Sequence, residues 1–358
     1  MDWVAYIGTY TGGKSAGIYM APLLADGRLG TLKLAAKAEN PSYLAVSPTG
    51  RFLYAVLETG TFGGKANGGV ASFAIGKDGV LTQTGAQPSM GRYPCYLSVD
   101  PSEKFLFVAN YGAGAFADTG RSDAALAVFP LQNGTIAPAL SVEIREGHGP
   151  HPARQTFPHA HFIDFAPDGQ LCAVDLGLDS IFRYQVTGAG ALEKISRSRM
   201  AAGHGPRHLA FLPQAGAAYV VNELDNSLTL LRTDSQGGYA AEKDYATLPA
   251  DFLGDNLPAA VKISSDHRLI AVSNRGHDSI VLYQIDDKGL LSSPVFTPCG
   301  GKGPRDLVFS PDGCFLYAAN EVSHTIAAFA VRDGALAFLG DVAQVGSPVC
   351  IKFLHLPD

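Results

Sequence analysis

The sequence predicts an all-β fold, a seven-bladed β-propeller with four-stranded blades, and three observations carry that expectation. One phrase, a short strand, a Pro-Asp-Gly-like turn and a second strand, recurs seven times. Its anchors Pro41, Pro94, Ala160, Pro206, Pro258, Pro304 and Pro348 stand 53, 66, 46, 52, 46 and 44 residues apart. Repeats of about 40 to 50 residues holding several short strands are the signature of propeller blades. The chain ends then complete the count. The ten residues after Pro348 and the forty-one up to Pro41 together make 51, one period.

Taken in order, the N-terminus supplies three strands without an anchor: Trp3-Val-Ala-Tyr-Ile-Gly8, Gly17-Ile-Tyr-Met-Ala21 and Gly30-Thr-Leu-Lys-Leu-Ala35. The clear repeats follow at Pro41-Ser-Tyr-Leu-Ala-Val-Ser-Pro-Thr-Gly50, Pro94-Cys-Tyr-Leu-Ser-Val-Asp-Pro101, Pro206-Arg-His-Leu-Ala-Phe-Leu-Pro213 and Pro304-Arg-Asp-Leu-Val-Phe-Ser-Pro-Asp-Gly313. Weaker copies start at Ala160, Pro258 and Pro348. The last has room for one strand, Val349-Cys-Ile-Lys-Phe-Leu354. That strand is expected to be the innermost of a shared blade whose other three come from the N-terminus. Such closure removes the open edges that invite stray pairing.

Composition agrees with one all-β unit spanning 1–358. Hydrophobic residues are 46%, charged residues 17%, and the 41 glycines suit turns and bulges. Short Val/Ile/Leu/Phe/Tyr runs prevail, with no helical apolar period and no linker. A net charge of −6 without any basic run argues against nucleic acid or an anionic membrane as partner. Five scattered cysteines without Cys-x-x-Cys pairing read as reduced thiols. With neither a signal peptide nor a membrane span in view, a cytoplasmic protein is expected.

Repeats place equivalent residues on one rim of the channel. The innermost strand runs down the channel and the next returns, so the residue after each anchor (+1) and the seventeenth after it (+17) should meet. The +1 set is Ser42, Cys95, His161, Arg207, Ala259, Arg305 and Val349. In the six complete repeats the +17 set is Glu58, Tyr111, Gly177, Glu223, Arg275 and Glu321. A histidine, three arginines and three glutamates thus share a rim, and grouped arginines suit a carboxylate or phosphate. The 66-residue period hides an insertion ending in Gly147-His-Gly-Pro-His-Pro-Ala-Arg-Gln-Thr-Phe-Pro-His-Ala-His161, expected to bring Arg154, Gln155 and His159 over the site. Glu58 is expected to stand well away from Glu223.

Other motifs carry less. Gly8 to Ser15 matches the phosphate-loop pattern G-x-x-x-x-G-K-[ST], but strand-like Gly17-Ile-Tyr-Met20 follows where that loop needs a helix. The same missing helix removes Gly13-Lys-Ser-Ala-Gly17 as a nucleophile elbow. His148, His151, His159 and His161 lack the partners of a zinc set, so no metal is expected. Cys95 reads as a buried thiol.

Several stretches together resemble one family over the whole chain, the seven-bladed propeller lactonases, typified by propeller-type 6-phosphogluconolactonases and related to fungal carboxymuconate-lactonising enzymes. They are Tyr6-Ile-Gly-Thr-Tyr-Thr11, Arg154-Gln-Thr-Phe-Pro-His-Ala-His161, Asp175-Leu-Gly-Leu-Asp179, Gly205-Pro-Arg-His-Leu209, Asn222-Glu-Leu224, Ser273-Asn-Arg-Gly-His-Asp-Ser279 and Gly303-Pro-Arg305. The resemblance implies cofactor-free chemistry on the lactone ring of a small acidic or sugar molecule, with a place in carbohydrate metabolism such as the pentose phosphate pathway. It implies a catalytic set of His161, Arg207, Glu223 and Arg275, all four already in the rim list. Arg154, Gln155, His159, Asp175 and Arg305 are the expected substrate contacts. Hydrolysis needs a base for water, donors for the oxyanion and an acid for the leaving oxygen. Glu223, the two arginines and His161 are expected in those roles. The rival readings are a lactonising cyclase of the carboxymuconate type and a non-catalytic propeller scaffold.

Overall fold

The computed structural model describes residues 3–112, 115–116 and 121–356. Seven antiparallel sheets form a ring, and the first strand of each packs against the first strands of its neighbours. We number the blades by those strands: Leu44–Val46, Arg92–Val99, Ala160–Phe165, Pro206–Leu212, Leu257–Ile263, Pro304–Phe309 and Pro348–His355. Blade 7 has the order Lys33–Lys37, Gly17–Pro22, Trp3–Thr9, Pro348–His355, so the C-terminal strand is the innermost member of a sheet whose other strands are N-terminal. Among the described residues the only helical turn is the 3-10 segment Pro213–Ala215, and no helix is long and apolar enough to cross a membrane.

Middle strands are buried on both faces because a blade is sandwiched between two others. Leu171–Asp175 and Ala217–Asn222 are buried at every position, which is why they read as apolar runs rather than alternations. Outer strands such as Leu192–Arg199 are largely exposed and charged. Tyrosines staple adjacent blades: the hydroxyls of Tyr6 and Tyr317 donate to the turn carbonyls of Gly79 and Gly27, each at 2.7 Å. A buried phenol needs such an acceptor.

One irregularity repeats and matters for function. Pairing between the first two strands slips between Pro94 and Tyr96, Ala160 and Phe162, Pro206 and His208, and Pro304 and Asp306. In blade 7, Gly8 pairs with Cys350 and Thr9 with Pro348, which passes over Val349. Each slip is a bulge whose extra residue is the +1 residue, and bulges re-aim side chains beside active sites. In four blades the anchor faces an asparagine: Asn110, Asn222, Asn274 and Asn320 pair with Pro94, Pro206, Pro258 and Pro304. The +17 residue comes next, at the channel mouth.

The extra length of the 66-residue period is divided. Part is the strandless segment 144–159, as expected. Part lies in 113–125, between the second and third strands of blade 2, where Ala115–Phe116 pairs with Arg121–Ser122.

Candidate active site

At the channel mouth the +1 and +17 residues enclose a small polar cavity of about 200 Å³, lined by Glu58, Cys95, Tyr111, Arg154, His161, Glu223, Arg275 and Arg305. A narrow extension of about 10 Å³ continues beneath it between Ser42, Arg207, His208 and Val349. A larger cleft of about 620 Å³ between blades 5 and 6 is lined by Asp266, Asp287, Asp312 and Asp333 with a single arginine, Arg268.

Glu223 sits at the centre of an arginine cage. Its Oε1 accepts from Arg154, and its Oε2 lies 2.7 Å from a terminal nitrogen of Arg275 and 3.0 Å from Arg207 Nε. Arg207 is fixed from behind by donating to the Ala259 carbonyl at 2.7 Å. Burial alone would raise the Glu223 pKa, but Arg275, Arg207 and Arg154 outweigh it and hold the carboxyl well below its usual range. Arg154 reaches the cage from the 147–159 segment and also donates to Tyr111 Oη at 3.3 Å. Its side chain is 31% exposed where Glu223 is 2% exposed, so Arg154 forms the solvent side of the cage.

His161 is buried and stands edge-on to Tyr111, ring centroids 5.5 Å apart. Burial, then the Arg207 charge, pushes its pKa well below 6.5, so the imidazole is neutral at pH 7. Cys95 Sγ lies 3.7 Å from His161 Nδ1, and burial raises its pKa, which keeps the thiol protonated. Across the cavity Arg305 donates to Tyr10 Oη at 2.8 Å and stands 3.7 Å from Glu321.

Three of the expected substrate contacts are placed behind this surface. Asp175 is fully buried: its Oδ1 accepts from the backbone N–H of His159 at 2.8 Å and of Leu178 at 3.1 Å, and its Oδ2 pairs with Arg145 at 3.0 Å. It pairs with Ala160 in blade 3 as the asparagines pair with their anchors elsewhere, and so it is a strand-end brace. Gln155 is also fully buried, donating to the Leu176 carbonyl and accepting from the His151 N–H. It folds the 147–159 segment and does not face the cavity. His159 stacks on Tyr111 at 4.2 Å and engages the Tyr111 carbonyl through Nδ1, which supports the lining from the second row.

Glu58 is a correction in the other direction. It lines the same cavity as Glu223 and is not remote from it. Its Oε2 accepts from Ser42 and, at 2.9 Å, from Tyr10. Burial raises its pKa against the opposing pull of Arg305 and the two hydroxyls. Complete repeats alone do not reveal Tyr10, because its repeat is split between the two ends of the chain. In blade 7 the residue following Thr9, the partner of Pro348, is Tyr10, the seventh member of that series.

Among the described residues no three His, Cys, Asp or Glu side chains are placed to hold a metal ion. Gly12 to Ser15 lie in the turn joining two antiparallel strands of blade 7, where Thr9 and Ser15 hydroxyls meet at 2.5 Å.

Comparison with known proteins agrees with this architecture. Residues 4–353 match the family model described as lactonase, 7-bladed beta-propeller. The chain is 36% identical to the 6-phosphogluconolactonase of Bacillus subtilis, covering 99% of both chains. The solved periplasmic gluconolactonase of Pseudomonas aeruginosa superposes with a TM-score of 0.89 at 30% identity over 100% of both chains. A putative 6-phosphogluconolactonase from Bacteroides fragilis gives 0.87 at 29% identity, covering 99% of this chain and 98% of that one. With the family model matching nearly the whole chain and a relative 36% identical over its full length, the chain belongs to the seven-bladed β-propeller lactonase family.

Proposed function

We propose that the protein hydrolyses a sugar lactone to its open-chain acid. The observation that carries this is the arginine-rich cavity: Arg154, Arg207, Arg275 and Arg305 converge on a space lined by three carboxylates, Glu223, Glu58 and, in the extension beneath, Asp306, which pairs with Lys262. The excess positive charge suits an anionic substrate and an oxyanion. The names of the relatives, a 6-phosphogluconolactonase and a gluconolactonase, support the same reading.

In this reading the lactone carbonyl oxygen turns toward Arg275 and Arg207. They stabilise the charge that develops as water adds to the carbonyl carbon, an effect worth about 100- to 1000-fold per donor. Arg154 and Arg305 hold the substrate's remaining anionic or polar groups. Glu223 keeps the guanidiniums converged against their mutual repulsion. A carboxylate held so far below its usual range has little affinity for a proton, so the role of base expected for it passes elsewhere. His161, neutral at pH 7, serves as a hydrogen-bonding partner of the ring oxygen and not as a charged acid.

We also infer that the substrate is phosphorylated, as in the pentose phosphate pathway, and that the protein works in the cytoplasm. Five unpaired cysteines, Cys314 exposed among them, suit a reducing compartment. The test is a pH-stat assay with the δ-lactones of gluconate and of 6-phosphogluconate, corrected for spontaneous hydrolysis. Catalysed acid release with a lower KM for the phosphorylated lactone is expected. No acceleration with either compound would overturn the reading.

A further inference from the structure

We propose that Glu58, and not Glu223, is the carboxylate that carries the proton during ring opening; this rests on the lactonase reading above. The two glutamates share one cavity but are held differently. Both oxygens of Glu223 are engaged by guanidiniums. Glu58 is gripped on one side only: Oε2 accepts from the hydroxyls of Ser42 and Tyr10, and Oε1 makes no hydrogen bond among the described residues. Two hydroxyls from two blades fix the carboxyl without neutralising its basicity, while the other oxygen is left for a water in the cavity.

The surroundings fit a base. The titratable and charged groups around Glu58 are Tyr10 from blade 7, Tyr43 from its own blade, Cys95 and Tyr111 from blade 2, His161 from blade 3, Arg207, His208 and Glu223 from blade 4, Arg275 from blade 5, Arg305 and Asp306 from blade 6, and Arg154 from the 147–159 segment. Cys95 stays a thiol, Tyr10 a phenol with its pKa raised by burial, and His161 a neutral ring. Glu58 has its affinity for a proton increased, mainly by burial, and a carboxylate that binds a proton more readily is the better general base.

The step balances with water alone. Glu58 Oε1 takes one proton from water as the water oxygen bonds to the lactone carbonyl carbon. The carbonyl π pair moves onto oxygen, beside the arginines. As the tetrahedral intermediate collapses, that pair reforms C=O and the bond to the ring oxygen breaks. The departing oxygen takes the proton back from Glu58. The product is the hydroxy acid, which then loses its carboxyl proton to solvent.

The experiment measures kcat, KM and melting temperature for wild type, Glu58→Gln, Glu58→Asp and Glu223→Gln from about pH 4.5 to 7.5, around the ordinary carboxylate and imidazole range. Wild-type kcat should rise with pH as Glu58 ionises. In Glu58→Gln, kcat should fall at least about 100-fold, with KM changed far less and the acidic limb gone. Glu58→Asp should recover part of kcat and keep a limb, and Glu223→Gln should keep the limb too. Glu58→Gln retaining more than about a tenth of kcat, or a limb unchanged, overturns the role. So does a fall in melting temperature or a rise in KM with kcat intact, which would mark Glu58 as a partner for Arg305 only. Wild-type protein inactive on every lactone would overturn the lactonase reading and this role with it, whereas an active Glu58→Gln overturns the role alone.

Discussion

Two glutamates in one cavity respond to pH in opposite senses, and the same conservative change at each should therefore have opposite effects on stability. Glu223 has its folded pKa depressed by Arg275, Arg207 and Arg154 acting against burial. Its contribution is fully present above the unfolded pKa of about 4.3 and is lost as pH falls below it. Glu223→Gln removes the counter-charge of buried guanidiniums and should cost about 3 to 5 kcal/mol at pH 7, a penalty that shrinks below about pH 4.3. Glu58 has a raised folded pKa, so ionising it costs stability as pH rises from about 4.3 through that value. Glu58→Gln should consequently be more stable than wild type at pH 7, with no difference at pH near 3.5, well below the ordinary carboxylate pKa of about 4.3. Chemical denaturation at the two pH values checks both signs. Equal effects of the two substitutions would contradict the electrostatic division of labour.

At the scale of the strand pair, function is built from a bulge and a brace. The bulge turns the +1 residue into the channel, and the brace at the end of the second strand holds the +17 residue beside it. In four blades the brace is an asparagine, as where Asn110 Nδ2 donates to the Ser89 carbonyl at 2.9 Å. In blade 3 it is Asp175, whose charge is matched by Arg145, itself bonded to Glu143 and Tyr184. Asp175→Ala should therefore destabilise the fold by about 3 kcal/mol or more, from a weakened buried ion pair and two orphaned backbone donors. It should also raise KM, because the His159 backbone it anchors leads to Arg154. Asp175→Asn keeps the acceptor and should cost roughly half as much. A KM that rises with unchanged stability in both variants would instead point to direct substrate contact.

This repeat logic is also what made the sequence readable. Period and register are enough to bring His161, Arg207, Glu223 and Arg275 to one rim, because +1 and +17 positions recur at fixed offsets from an anchor. Side-chain direction off that register is not encoded in the period. Gln155 and Asp175 lie in segments shared with a family, yet whether each faces the cavity or the backbone depends on which donors surround it. Glu58 lies beside Glu223 despite its distance along the chain, because separation in sequence is not separation across a channel that every blade borders. Tyr10 was hidden by the ring junction, where the repeat is split between the two ends of the sequence.

For the whole molecule, the ring is the site. Blade 7 gives Val349 and Tyr10, the latter bonded to Glu58 of blade 1; Cys95 and Tyr111 come from blade 2 and His161 from blade 3; blades 4, 5 and 6 give Arg207 with Glu223, Arg275 and Arg305. No subset of blades assembles that cavity, so its integrity depends on the seam where Trp3–Thr9 pairs with Pro348–His355. Removing residues 349–358 takes away the innermost strand of blade 7, including buried Val349, Cys350 and Ile351. Each large aliphatic side chain lost from burial costs about 1.5 to 3 kcal/mol, and the lost ladder bonds about 1 kcal/mol each. Those losses approach the roughly 5 to 15 kcal/mol that separates folded from unfolded domains. They also leave Trp3–Thr9 as an open apolar edge. The truncated protein should therefore be poorly soluble, lack a sharp unfolding transition and show no lactone hydrolysis. A truncated chain that melts cooperatively at the wild-type temperature would mean the ring holds together without its closing strand.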